Sequence, residues 1–143
     1  MKPLIVSLGI IILSVLGLTY QSDLTNYYLL EQHLQALTEE CTAYAALACY
    51  DEAEGIISYD ADECSQRVNS LINYATTHMP CFSKENGEIR TIKMTAKESG
   101  DNYLINLKLA FVPHQSFFRL KSIRTKEISH ESCYEWVLEP VNE

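Results

Sequence analysis

From Leu4 to Leu18 the chain reads LIVSLGIIILSVLGL, with no charge and two serines as its only polar side chains. Beyond Tyr20 the sequence turns polar, yet apolar positions continue at Tyr27, Leu30, Leu34, Leu37, Cys41, Tyr44 and Ala48. Those steps alternate three and four, the spacing that holds one face of a helix toward a partner. No Gly or Pro interrupts the run between Leu18 and Tyr50. The pattern predicts one helix from Pro3 to about Tyr50 that begins in lipid and ends in water.

The flanks of the apolar run give its orientation. Lys2 and the amino terminus precede it, and Asp23 and Glu31 follow, which places the N-terminus in the cytoplasm and the remainder outside. A span needs about 20 residues. Pro3 to Tyr20 barely supplies that, so tilt or a partner helix is expected to help. Residues 1–22 are read as a single-pass anchor, 23–50 as its amphipathic continuation, and 51–143 as a small extracytoplasmic domain. The competing reading is a signal peptide cut near Gly17, which would release a secreted soluble binding domain. An A-x-A-like site is absent and the stripe runs straight through, so a retained anchor is expected. No cysteine follows the apolar run, which argues against a lipoprotein.

Good helix formers continue to Ala48, and Ala43, Ala45, Ala46 and Ala48 make a smooth patch that lets another element approach closely. Asp23 and Thr25 interrupt the apolar face where the chain leaves the membrane. Asp51 to Asp60 breaks the helical pattern, with Gly55 ahead of the β-prone Ile56-Ile57-Ser58-Tyr59, and reads as a short extended piece or turn. A second helix is predicted to open near Asp60 or Asp62, with carboxylates in its first turn. Its apolar face is Cys64, Val68, Leu71, Ile72 and Ala75, and it ends before Pro80.

From Glu88 the period changes to two. Ile92 and Met94 alternate with Lys93 and Thr95. After the turn at Ser99-Gly100-Asp101-Asn102, Tyr103, Ile105, Leu107, Leu109 and Phe111 share one face of the clearest strand. Phe117, Phe118 and Leu120 are expected to cap the core. A third strand over about Lys126 to Leu138 places Ile128, Tyr134, Trp136 and Leu138 on one face. The expected fold class is α+β: a long helix and a shorter one covering one face of a three-stranded antiparallel sheet.

The chain has a net charge of −8, unevenly distributed. Residues 1–50 sum to −3, residues 51–83 to −5, and residues 84–143 to zero. An acidic chain without a basic patch in this reading is a poor nucleic-acid binder, and its solvated face is expected to repel anionic headgroups. His33, His78, His114 and His130 are widely spaced. No nucleophile elbow, phosphate-binding glycine loop or CxxC occurs. The acidic run from Asp51 to Glu63 lacks the order of a calcium loop. His78-x-x-Cys81 has the spacing of half a zinc site but no second close ligand pair. Neither an enzyme nor a cofactor or metal is expected.

Five cysteines are many for this length, and an N-terminal translocation signal suggests an oxidising compartment. Cys41 and Cys49 lie about 12 Å apart along one helix and cannot pair. Cys49 and Cys64 flank the connection between the two helices, while Cys81 precedes the sheet whose last strand holds Cys133. The hypothesis is Cys49–Cys64 and Cys81–Cys133 bridges with Cys41 free or buried. Small buried hydrophobes remain the other reading of all five.

The outline resembles the TadE/TadG-like minor pilins, or pseudopilins, of tight-adherence (Flp) pilus systems. Three stretches carry the likeness: LEQHLQALTEECTAYAALA after the apolar N-terminus, EGIISYD leading into DECSQRVNSLINYA, and the closing pair YLINLKLAFVP and ISHESCYEWVLE. The resemblance implies a pilin-like fold and a structural subunit of a bacterial pilus or secretion apparatus. Its partners would be other pilin or assembly subunits, met through the N-terminal helix. This chain departs from the family in having only Lys2 before the apolar segment and no glycine–glutamate prepilin cleavage site. A retained anchor at the assembly platform is therefore implied rather than a polymerised major subunit.

Overall fold

The computed structural model describes residues 2–51, 56–57, 59–99, 102–114, 117–120 and 127–137. The continuous apolar-to-amphipathic pattern folds as a single helix, α1 (Lys2–Ala48), of 47 residues. At 1.5 Å per residue it is about 70 Å long. Two-residue strands follow, β1 (Tyr50–Asp51) and β2 (Ile56–Ile57), paired antiparallel. Residues 52–55 and 58 of the predicted turn, Gly55 included, lie outside the described residues.

The second helix, α2 (Ala61–His78), starts where the carboxylates predict. Asp60 is its N-cap, its side chain accepting from the N–H groups of Asp62 at 2.9 Å and Glu63 at 3.2 Å. Cys64, Val68 and Ala75 are buried, with Leu71 and Ile72 half-buried beside them, so the predicted face is the packed one. A 3-10 turn at Pro80–Phe82 ends the helical half.

The sheet has the order β3-β4-β5, all antiparallel: β3 (Gly87–Ser99), β4 (Asn102–Pro113) and β5 (Ile128–Val137). Ile105, Leu107, Leu109 and Phe111 of β4 are fully buried under the helices, as period two requires. Opposite them on β5 stand Tyr134, Ser132, His130 and Ile128. Leu138 and the other residues after Val137 lie outside the described part. α1 packs on α2, β4 and β5. The fold is α+β, with two helices on one face of a three-stranded antiparallel sheet.

Two expectations need correction. The stripe on α1 leaves the core at Tyr44, which is 40% exposed, and returns only in part at the half-buried Ala48, while Ala45, Ala46 and Cys49 are buried. A repeat of 3.5 on a straight helix of 3.6 residues per turn drifts about 20° per heptad. Three heptads from Tyr27 carry it about 60° off the core, and the buried face moves to the neighbouring alanines. Likewise Ile92 does not share the inner face with Met94. A β-bulge between Thr91 and Lys93 leaves it without a register partner and 48% exposed. The extra residue changes parity, so Ile89 packs from before the bulge and Met94 from after it.

Candidate functional site

α1 divides sharply at Asp23. On the N-terminal side, Leu4 to Leu18 presents eleven exposed branched apolar residues, and none of the most apolar stretch is buried. That part is long and apolar enough to cross a membrane. On the C-terminal side, Leu30, Leu34, Leu37 and Cys41 of the predicted packing stripe are buried and Tyr27 half-buried, all against their own domain. Two buried threonines share this face. Thr38 Oγ1 donates to Leu34 O at 2.7 Å and Thr42 Oγ1 to Thr38 O at 2.6 Å, so neither hydroxyl is orphaned.

Asp23 itself is 1% exposed. Its carboxylate accepts from the backbone N–H of Arg119 at 3.2 Å and of Leu120 at 2.8 Å, one oxygen each. A charged acceptor on two main-chain donors is a strong, short-range clasp. The loop it holds is aromatic: Phe118 is buried, edge-on to Phe117 at 4.7 Å, and Phe117 meets Phe111 of β4 at 6.3 Å. The expected capping of the core by Phe117, Phe118 and Leu120 is therefore accompanied by a polar lock. Sequence reading took Asp23 as a mere interruption of the apolar face. Its phase was the available signal, because positions 23, 27, 30 and 34 continue the stripe by one more step.

The cysteines fall into three environments. Cys49 and Cys64 are buried with their Sγ atoms 3.5 Å apart, and both thiols reach Ala45 O, at 3.6 and 3.4 Å. The structure thus brings together the pair that spacing selects. Burial, then the neighbouring Cys64 thiol, pushes Cys49 up to about 12, and burial raises Cys64 as well. Cys41 is buried on the same helix, and burial together with the Glu40 charge pushes its thiol up to about 12.

Cys81 and Cys133 are not brought together. Cys81 sits in the 3-10 turn, whose Phe82 packs on Phe111 at 5.7 Å on the inner face. That turn is tied to the Pro113 end of β4 by the Asn86 amide on Pro80 O at 2.8 Å and His114 N–H on Asn86 O at 2.8 Å. Cys133 is exposed on β5 opposite Asn106, on the other face and seven residues back from Pro113. Seven residues of strand span about 23 Å, whereas a disulfide needs Cα atoms within about 7 Å.

The histidines do not converge. His78 stacks on Tyr74 at 4.2 Å, and its Nδ1 lies 3.0 Å from Tyr74 O. Among the described residues no group of three or more His, Cys, Asp or Glu side chains is placed to hold a metal ion. No protein-family model, curated protein or solved structure matches this chain.

Proposed function

We propose that the chain is a membrane-anchored, extracytoplasmic structural subunit of the pseudopilin kind, serving a bacterial pilus or secretion apparatus without catalysis of its own. One observation carries this reading: a single helix is wholly exposed and apolar for its first third and becomes the core of a small α+β domain thereafter. A rigid helix shared between bilayer and domain transmits position from one to the other, which is what an assembly subunit requires. Its lipid half is the surface offered to helices of other subunits, because its apolar side chains have no partner within their own domain.

The test has two stages. The first is membrane fractionation with an alkaline carbonate wash, followed by intact mass of the extracted chain. Retention in the pellet with the apolar run present supports the anchor; a soluble chain lacking that run makes it a secreted domain. The second places a photo-cross-linking residue at Leu13 or Leu16, both exposed on α1. Adducts with a second helix-anchored subunit are expected. Adducts with lipid alone sink the assembly role.

A further inference from the structure

The helices pack on one face of the sheet, and the strand register arranges the opposite face in rows. Lys97, Leu104 and Glu135 form one row, Thr95, Asn106 and Cys133 the next, and Lys93, Lys108 and Glu131 the third. Lys93 and Lys97 on β3 are exposed, as are Glu131, Cys133 and Glu135 on β5, while the β4 residues between them are half-buried. One edge of this face is therefore basic and the other acidic. Further along β3, Arg90 and Glu88 pair with each other at 2.8 Å and leave that part neutral. At the centre, Asn106 Oδ1 is buried with no hydrogen-bond partner among the described residues. A buried oxygen without a donor is costly.

α1 runs along these strands, antiparallel to β4. Its Asp23 holds the loop that follows the Phe111 end of β4, where Phe117 meets Phe111. At the other end Cys49 touches Cys64 in the first turn of α2, and Tyr59, just ahead of that helix, lies 6.5 Å from Tyr103. A second copy can lie face to face on this sheet about either of two twofold axes. An axis across the strands sets β3 on β3, brings Lys93 and Lys97 of the two copies together, and points their α1 helices in opposite directions. An axis along β4 sets β3 of each copy on β5 of the other. Lys97 then meets Glu135, Lys93 meets Glu131 and Thr95 meets Cys133 across the interface. Asn106 meets Asn106 of the second copy, whose amide supplies a donor as well as an acceptor. Lys108 meets its own counterpart, with a Glu131 beside it on each copy. The same axis keeps both α1 helices pointing one way, as two copies inserted in one bilayer require. Charge pairing and membrane orientation thus select the same axis.

We propose that this face of the sheet docks on the same face of a second copy anchored in the same membrane, about a twofold axis that runs along β4. The proposal rests on the anchor reading above, and it names a partner for the domain rather than for the apolar helix. Three rows make a small patch, below what holds a dimer together in solution. Sharing one bilayer raises the effective concentration and offsets that shortfall. The α1 helices lie on the outer sides of the pair, so their apolar thirds stay open to lipid or to other subunits.

The test uses the full chain in proteoliposomes, with a photo-cross-linking residue at Thr95. Adducts of twice the chain mass are expected, their junctions in peptides of β5, and their yield should fall in about 0.5 M salt. Lys93→Glu with Lys97→Glu in one variant, and Glu131→Lys with Glu135→Lys in another, should each lower the yield at least about tenfold. Mixing the two differently tagged variants in one vesicle should restore it, because a face acidic at both edges then meets one basic at both. That recovery also reports that both variants fold. Absence of a dimer adduct, in a chain that stays with the vesicles through a carbonate wash, overturns the face pairing and leaves the anchor standing. Junctions in β3 assign the other axis and overturn the proposal. So do reversed variants that cross-link as well as the parent, and a mixture that fails to recover although β4 hydrogen exchange reports both variants folded. A parent yield that salt leaves unchanged overturns it with no variant involved. A chain lost from the vesicles removes the anchor and the pairing together.

Discussion

A buried carboxylate is costly unless its lone pairs are filled, and Asp23 fills them with two backbone donors from a loop 96 and 97 residues away in sequence. Asp23→Ala strips both donors of their acceptor, and thermal or urea unfolding should show a loss of about 1–3 kcal/mol. Asp23→Asn keeps an acceptor and should lose less. Gly87 is a second sensitive position. A Cβ there meets Phe111 Cζ at 2.4 Å and Val112 O at 2.6 Å, so the strand must shift to admit it. Gly87→Ala should cost about 1–3 kcal/mol by overpacking, read as a lowered Tm. The Cys41 thiol sets a pH dependence. Burial holds its proton to about 12, against an ordinary value of 9.0. The unfolded chain releases that proton first, so this contribution is complete below about pH 9 and is lost as pH climbs toward 12. Urea unfolding of the reduced protein at rising pH should show the fall, and Cys41→Ala should make it shallower, with the buried Cys49 and Cys64 thiols supplying the remainder.

At the scale of elements, α1 and α2 meet through small side chains, with Ala45, Ala46 and Cys64 buried between them. The Sγ contact of Cys49 and Cys64 crosses the same seam. Oxidation there closes a loop for which about 3 kcal/mol of stabilisation is expected. Peptide mapping without reductant should find this bridge in protein recovered from outside the cytoplasm, and should find Cys81 and Cys133 unlinked to each other. Five free thiols in that preparation would remove the bridge. The drift of the stripe has its own signature. Leu34→Ala should cost about 2–5 kcal/mol, whereas Tyr44→Ala, on the exposed flank, should stay near or below about 1 kcal/mol. Comparable losses at both would mean that the 3.5 repeat faces a partner along its whole length.

The whole molecule is a long helix with a small α+β domain packed around its C-terminal part. The exposed apolar third has to be covered, by lipid or by other helices, because contiguous apolar surface of that extent is not left in water. The sheet carries its own protection against edge pairing: β3 has a bulge and the exposed Lys93 and Lys97 along its edge. Cross-linking at Leu13 or Leu16, both exposed, reads whether lipid or another helix covers the apolar third.

Much of this was legible in one dimension. The apolar run, the uninterrupted helix, the Asp60 cap, the inner face of β4 and the Cys49–Cys64 pair all follow from local periodicity, capping chemistry and spacing, which need no knowledge of distant residues. The drift at Tyr44, the parity change at Ile92 and the separation of Cys81 from Cys133 were not legible. Each depends on how elements sit against one another: a straight helix outrunning its 3.5 repeat, an extra residue absorbed by a neighbouring strand, two faces of one sheet. Asp23 shows the division most clearly. In sequence it reads as an interruption of the apolar face, and only the tertiary structure supplied the two donors that make an inward carboxylate stable. The same contact places Arg119, 96 residues away in sequence, beside the C-terminal side of the apolar run of α1.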